Sequence, residues 1–409
     1  MKRISFVFFL AFCTGGFLFA QQKNLPATWQ AMLKRPDGKN IHFTFEEMKV
    51  NSKPIITIKN AKERIRVENI TRAGDSLLIR MPVFESSFSI KTSPDKWEGT
   101  WTRGTSGKDL MMPFEAMRSS SRYPLVKGIA KRNVSGRWAV HFSSDNITAA
   151  TSIAEFVQKG NTVTGTFLTP TGDYRFLEGV VTGDSLILSG FDGAHAVLFE
   201  GHIAGGKAIT NGHYYSGVKF TEEWSAVKNA KATVKIDESA MYVRSGEQQL
   251  DFRFPDLDSN MVSLSDKRFN GKVTVVQLMG SWCPNCMDET AFLTEYYAKN
   301  KQRGVEMVAL AYEYSTDFER SKNSLLKFKN RFYVNYPILI TGVAISDTLR
   351  TEKTLPQVTR IKVFPSSIII DKKGNIRKLD NGFVGPGTGK HYETYKAEFN
   401  KTMNTLLKE

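Results

Sequence analysis

The chain has 409 residues, with 56 Lys and Arg against 41 Asp and Glu, a net charge of +15. That length exceeds one ordinary domain, so two or three are expected. The basic excess is spread over both halves with no dense run interleaved with aromatics, which argues against nucleic-acid binding. It admits peripheral attachment to an anionic envelope surface or an acidic partner, but a solvated surface is the better account.

Met1–Ala20 reads as a signal peptide. Lys2 and Arg3 form a basic start, Ile4–Phe19 is nearly all apolar, and Ala20 is a small residue at a cleavage point. The apolar stretch is shorter than the roughly 20 residues a membrane span needs. Cys13 lies inside that stretch behind bulky Phe12, which disfavours a lipid anchor there. An exported protein of the periplasm or cell envelope is expected, and its mature chain keeps only Cys283 and Cys286.

Residues 21–228 read as antiparallel and β-rich: short runs alternate apolar and polar residues between turns such as Pro36-Asp37-Gly38 and Gly160-Asn161. The region also carries an internal repeat. Gly74-Asp75-Ser76-Leu77 recurs as Gly183-Asp184-Ser185-Leu186, and Trp29 falls on Trp138 at the same offset. Two similar units are expected, 21–128 and 129–228, each a small sandwich or open barrel. His195, His202 and His213 lack metal-ligand spacing, so no metal site is expected. Residues 229–250, of mixed polarity, are the candidate linker.

From Asp251 the pattern changes to alternating strands and helices, the mark of an α/β sheet with a parallel portion. The expected order is strand Val273–Met279, helix Met287–Arg303, strand Val305–Tyr314 and helix Asp317–Phe332. Strands Pro337–Ile340, Ser367–Asp371 and Ile376–Leu379 and a helix near Tyr392–Leu407 follow. Gly385-Pro386-Gly387-Thr388-Gly389 lacks the Gly-Lys-Ser/Thr ending of a phosphate loop and reads as a flexible loop. No cofactor is expected.

The chemistry concentrates in Trp282-Cys283-Pro284-Asn285-Cys286, at a strand-to-helix junction. A helix N-terminus offers free N–H groups and a positive dipole end, which favour thiolate over thiol. One sulfur can then attack a disulfide and the other resolve the mixed disulfide. A zinc half-site would need a second cysteine pair, which is missing, and a structural staple closing so short a loop would restrain the unfolded chain little. Cys283 is expected to be the exposed, low-pKa thiol and Cys286 the buried one. Cys286, Glu289, Leu293 and Tyr296 share a helix face, so Glu289 either points inward beside the cysteines or sits solvated at the helix start. Phe364-Pro365 precedes the apolar run Ile368-Ile369-Ile370. Pro365 is either an edge residue or a cis-proline against the cysteines, with the Phe364 backbone able to pair with a substrate strand.

Phe254-Pro255-Asp256-Leu257, Gly280–Cys286, Glu289 and Phe364-Pro365-Ser366-Ser367 together resemble the TlpA/ResA-type periplasmic thiol-disulfide oxidoreductases of the thioredoxin superfamily. The resemblance covers about residues 251–409. It implies a thioredoxin-like α/β domain behind the β-rich extension. It also implies that Cys283 is the nucleophile, Cys286 the resolving cysteine, Pro365 the cis-proline and Glu289 the buried active-site acid. Trp282 and Phe364, flanking the pair and the proline, are the candidate substrate contacts. Gln277 stands six residues before Cys283, where general thioredoxins carry an acid, and Phe364 is bulkier than expected before the proline.

The function expected is an exported thiol-disulfide oxidoreductase, in the reducing direction. Its partners would be disulfide-containing or dithiol envelope proteins and a membrane or periplasmic redox partner. One alternative is a thiol peroxidase, although the residues before Cys283 do not match a Pro-x-x-x-Thr-x-x-Cys setting. Another is an envelope binding protein whose activity resides in the β-rich half.

Overall fold

The computed structural model describes residues 26–51, 53–119, 128–144, 151–234 and 241–409. The expected signal peptide lies outside these. Among the described residues no helix is long and apolar enough to cross a membrane.

Strand alternation builds two antiparallel sheets of nine strands each. In Ala27–Lys34 the residues Trp29, Ala31 and Leu33 face inward; in Gly136–Phe142 Trp138, Val140 and Phe142 do the same. Each sheet pairs the first strand of its run with the last, Ala31 opposite Ala116 in one and Val140 opposite Ala226 in the other. The repeat is therefore structural. Gly74 and Gly183 both occupy the left-handed region, at φ 60° and 55°, where the duplicated Gly-Asp turn needs a residue without Cβ.

The two units close differently. In the second, Thr162–Thr169 pairs with both Ser152–Lys159 and Leu177–Thr182, completing a barrel. The first stays open between Glu63–Val67 and Ile70–Ala73. Residues of the second unit fill part of its core: Phe191, Ala196, Leu198 and Tyr215 pack there, and the Phe191 and Phe43 ring centroids lie 4.4 Å apart. Asn60 donates to Phe191 O (2.8 Å), and Trp101 Nε1 donates to Gly193 O (2.9 Å).

The C-terminal domain has a five-stranded sheet ordered Ile338–Ile340, Val305–Ala311, Val273–Met279, Ser366–Ile370, Ile376–Asn381. The first three are parallel and the last two antiparallel. Val273–Met279 and Val305–Ala311 are buried throughout, because both faces are covered. On one face lie α1 (Pro284–Asn300), α2 (Phe318–Phe332) and α4 (Lys390–Leu406), packed through Leu293, Phe328 and Phe399 onto Val275, Met307 and Ile369. The other face, with Val276, Leu278, Leu310 and Ile368, is covered by Phe252, Phe269, Leu355 and Ile361. A five-residue helix α3 (Arg350–Thr354) and the hairpin Arg253–Pro255/Met261–Ser263 complete the domain.

Part of the expected linker belongs to this domain. Met241 and Leu250 are buried in its second core, Val243 bridges to Val358, and Arg244 Nε donates to Val358 O (2.9 Å). The polar residues between them had masked two core anchors.

Candidate active site

Helix α1 starts three residues earlier than the apolar spacing indicates. Pro284 is preset for the first helical position, and Cys283 is the N-cap. Cys283 and Cys286 are joined as a disulfide. Cys283 Sγ accepts from the Cys286 N–H at 3.2 Å, so the sulfur sits where the helix leaves its first amides unpaired. It also lies 3.4 Å from Phe364 O, across a cis Phe364–Pro365 bond that delivers this carbonyl to the sulfur. Trp282 is half-buried: its Nε1 donates to Tyr312 O (2.8 Å), its ring stacks on Tyr314, and the Phe364 ring meets it edge-on at 5.8 Å. The structure thus brings Trp282, Cys283, Cys286, Phe364 and Pro365 to one place.

Glu289 is fully buried on the helix face of Cys286. Its two oxygens accept from Gln277 Nε2 (2.8 Å) and Ser367 Oγ (2.9 Å). Burial pushes its pKa up to about 7 despite those donors. Gln277, where general thioredoxins carry an acid, therefore acts as a donor to the Glu289 carboxyl. A second buried acid has no signal in the sequence. Glu313 accepts from Ser281 N–H (2.7 Å) and Ser281 Oγ (2.6 Å), holding the turn that leads into the cysteines, and burial lifts it to about 7 as well.

Cys283 is not the exposed thiol the motif suggests. It is 3% exposed, packed in one cluster with Val83, Phe84 and Ala194 of the β-rich region. The segment Thr171–Arg175 lies against the dithiol motif. Gly172, at φ 147°, sits hard against Asn285: a Cβ there would lie 2.3 Å from the end of its side-chain amide. With its amide turned to satisfy both partners, Asn285 accepts from Asp173 N–H (2.9 Å) and donates to Asp173 O (3.1 Å). Asp173 Oδ2 accepts from Gly385 N–H (2.7 Å), and burial raises this carboxyl to about 6. Pro386–Thr388, expected within a flexible loop, forms a short 3₁₀ turn packed on the Arg175 backbone.

Arg175 is the hub of this contact. Its Nε and Nη2 donate to Asp288 of α1 (2.8 and 2.9 Å), and Nη2 also donates to Glu63 (2.6 Å). Burial holds Glu63 and Asp288 above the usual carboxylate range. A cavity of about 180 Å³ lies beside this group, lined by Glu63, Arg175, Asp192, His195, Tyr214 and Pro284 of the dithiol motif. The three repeat histidines do not converge: His195 Nδ1 contacts Asp192, His213 Nδ1 faces Asn211 O, and His202 is exposed.

Residues 244–396 match the Redoxin family model. A thiol-disulfide oxidoreductase ResA of Bacillus thuringiensis is 27% identical over 131 residues, 32% of this chain and 66% of that protein. The ResA of Geobacillus kaustophilus is 29% identical over 140 residues, 34% of this chain and 71% of its own. The chain thus spans just under two thirds of the length of the first of these relatives. A thiol-disulfide oxidoreductase structure from Bacteroides fragilis is 18% identical, covering 36% of this chain and 99% of its own at a TM-score of 0.28. The Redoxin match and the ResA relatives support a TlpA/ResA-type domain of the thioredoxin superfamily in the C-terminal part of the chain, behind a β-rich extension of two nine-stranded sheets.

Proposed function

We propose that this chain is an exported thiol-disulfide oxidoreductase that reduces disulfides of envelope proteins with the Cys283/Cys286 couple. The observation that carries the reading is the disulfide at the N-terminus of α1, set against Phe364-Pro365 and above buried Glu289. The reduced Cys283 thiolate, favoured by the helix start, attacks a substrate disulfide. The substrate S–S bond breaks, a Cys283–substrate bond forms, and one substrate thiolate leaves. Cys286 then gives up its proton, with Glu289 as acceptor directly or through water, and attacks Cys283 Sγ. The second substrate thiolate leaves, two electrons have passed to the substrate, and the Cys283–Cys286 disulfide remains. A dithiol partner at the membrane or in the periplasm restores the thiols.

In this reading Trp282 and Phe364 contact the substrate and Pro365 shapes its docking edge. Residues 1–20 are the export signal, 21–128 and 129–228 the β-rich repeats, and 251–409 the redox domain, with 241–250 packed onto it. The test is turnover of insulin disulfides with dithiothreitol as electron donor. Wild type should accelerate reduction and Cys283→Ser should not; equal rates for both would reject the assignment.

A further inference from the structure

The thioredoxin-like domain presents one face to any incoming disulfide: the dithiol motif, the Phe364-Pro365 loop and the turn after strand Ile376–Asn381. Here that face is occupied by the chain's own β-rich region. Val83, Phe84 and Ala194 pack in the cluster that holds both cysteines, and Cys283 is 3% exposed. Asp173 gives its backbone N–H and C=O to the Asn285 side-chain amide, two hydrogen bonds between the β-rich region and the dithiol motif. Gly172 has no side chain to obstruct that approach, and Gly382 and Gly385 take Thr171 and Asp173 on the other flank.

Two polar groups fasten the contact. Arg175 bridges Asp288 of α1 to Glu63 of the β-rich region and is itself buried. Separately, Glu85 accepts from Arg320 Nη2 (2.8 Å) and Ser324 Oγ (2.6 Å) of α2, while Arg320 also donates to Thr105 O (2.8 Å). Arg103 Nη2 donates to Tyr314 OH (2.8 Å), beside the Trp282 ring. Opening the contact breaks the two charge-assisted hydrogen bonds from Arg175 to Asp288 and leaves Arg175 with Glu63 on its own side. Cation, backbone contact and apolar plug all meet the face that carries the dithiol motif.

We propose that the β-rich region is an intramolecular cover of the dithiol, latched by Arg175–Asp288 and Glu85–Arg320, so that a protein disulfide reaches Cys283 only when the latch parts. The inference rests on the redox reading for its meaning, but access to the sulfur can be measured without any redox turnover.

The experiment uses the full mature chain carrying Cys286→Ser, which leaves Cys283 as its single thiol. Its alkylation is timed with iodoacetamide and with a polyethylene-glycol maleimide, against an unstructured cysteine peptide. The bulky reagent should be slowed far more than the small one. Arg175→Met should accelerate bulky labelling about 10-fold or more by raising the open population. Arg320→Ala, a half-exposed residue whose loss leaves the core intact, should act in the same direction and keeps the test valid if Arg175→Met fails to fold. Bulky labelling of the parent at the peptide's rate, or no acceleration in a folded variant, overturns the cover. Insulin turnover with Cys286 restored separates the two ideas. Accelerated labelling without turnover in any form keeps the cover and removes the redox reading. Full turnover that neither variant changes does the reverse.

Discussion

Glu289 is the residue on which spacing and structure meet. Its place three after Cys286 put it on the face of Leu293 and Tyr296, and it is buried there between Gln277 and Ser367. A carboxyl at about 7 one helical turn from Cys286 suits proton exchange with a thiol. We expect Glu289→Gln to keep the fold and the disulfide, slow turnover by about 10- to 1,000-fold and shift the pH–rate profile. Superimposable profiles would place the acid outside the chemistry. The same shift bears on stability. Glu289 and Glu313 each rise from 4.5 to about 7 on folding, so the folded state favours their protonated forms. That contribution is complete below pH 4.5 and is lost as pH rises through 7, costing about 3 kcal/mol per group. Urea unfolding of the oxidised protein should show stability falling across this window, and Glu289→Gln/Glu313→Gln should flatten the fall. Glu313 itself was illegible: its partner Ser281 lies on another segment, and no motif or periodicity joins them.

At the scale of elements, period and turn chemistry carried most of the information. The strands Val273–Met279 and Val305–Ala311 and the helices α1, α2 and α4 follow from apolar runs long enough to declare themselves. Boundaries moved where local chemistry outweighs the pattern, as when Cys283 and Pro284 start α1 before its first apolar residue. Helix α3, with five residues, is too short to show a period. The duplication was legible from two short matches because both mark structural necessities, a core tryptophan and a left-handed glycine turn. Substituting Ala at Gly74 or Gly183 should each cost about 1–2 kcal/mol in urea unfolding, since open space surrounds both and only the backbone conformation resists. A cost at one site alone would show that the two turns are not equivalent. Barrel closure in the second unit and the open edge of the first depend on pairings that no single strand encodes.

The molecule as a whole differs most from what its sequence suggests, because the contact between halves joins residues more than a hundred positions apart, as Arg175 and Asp288 are. Nothing near Arg175 marks it as the partner of a helix in another domain. The motif argued for an exposed nucleophile, and it describes the thioredoxin-like domain well; the covering residues belong to a region whose pattern speaks only of strands. The proposed reduction requires Cys283 and Cys286 to form a working redox couple, with Cys283 attacking and Cys286 resolving. The most direct measurement is trapping in envelope extract. Full-length Cys286→Ser should accumulate mixed disulfides through Cys283, released by dithiothreitol and identifiable by mass spectrometry, while Cys283→Ser should yield none. Adducts that form on Cys283→Ser and not on Cys286→Ser, or on neither, would contradict the account.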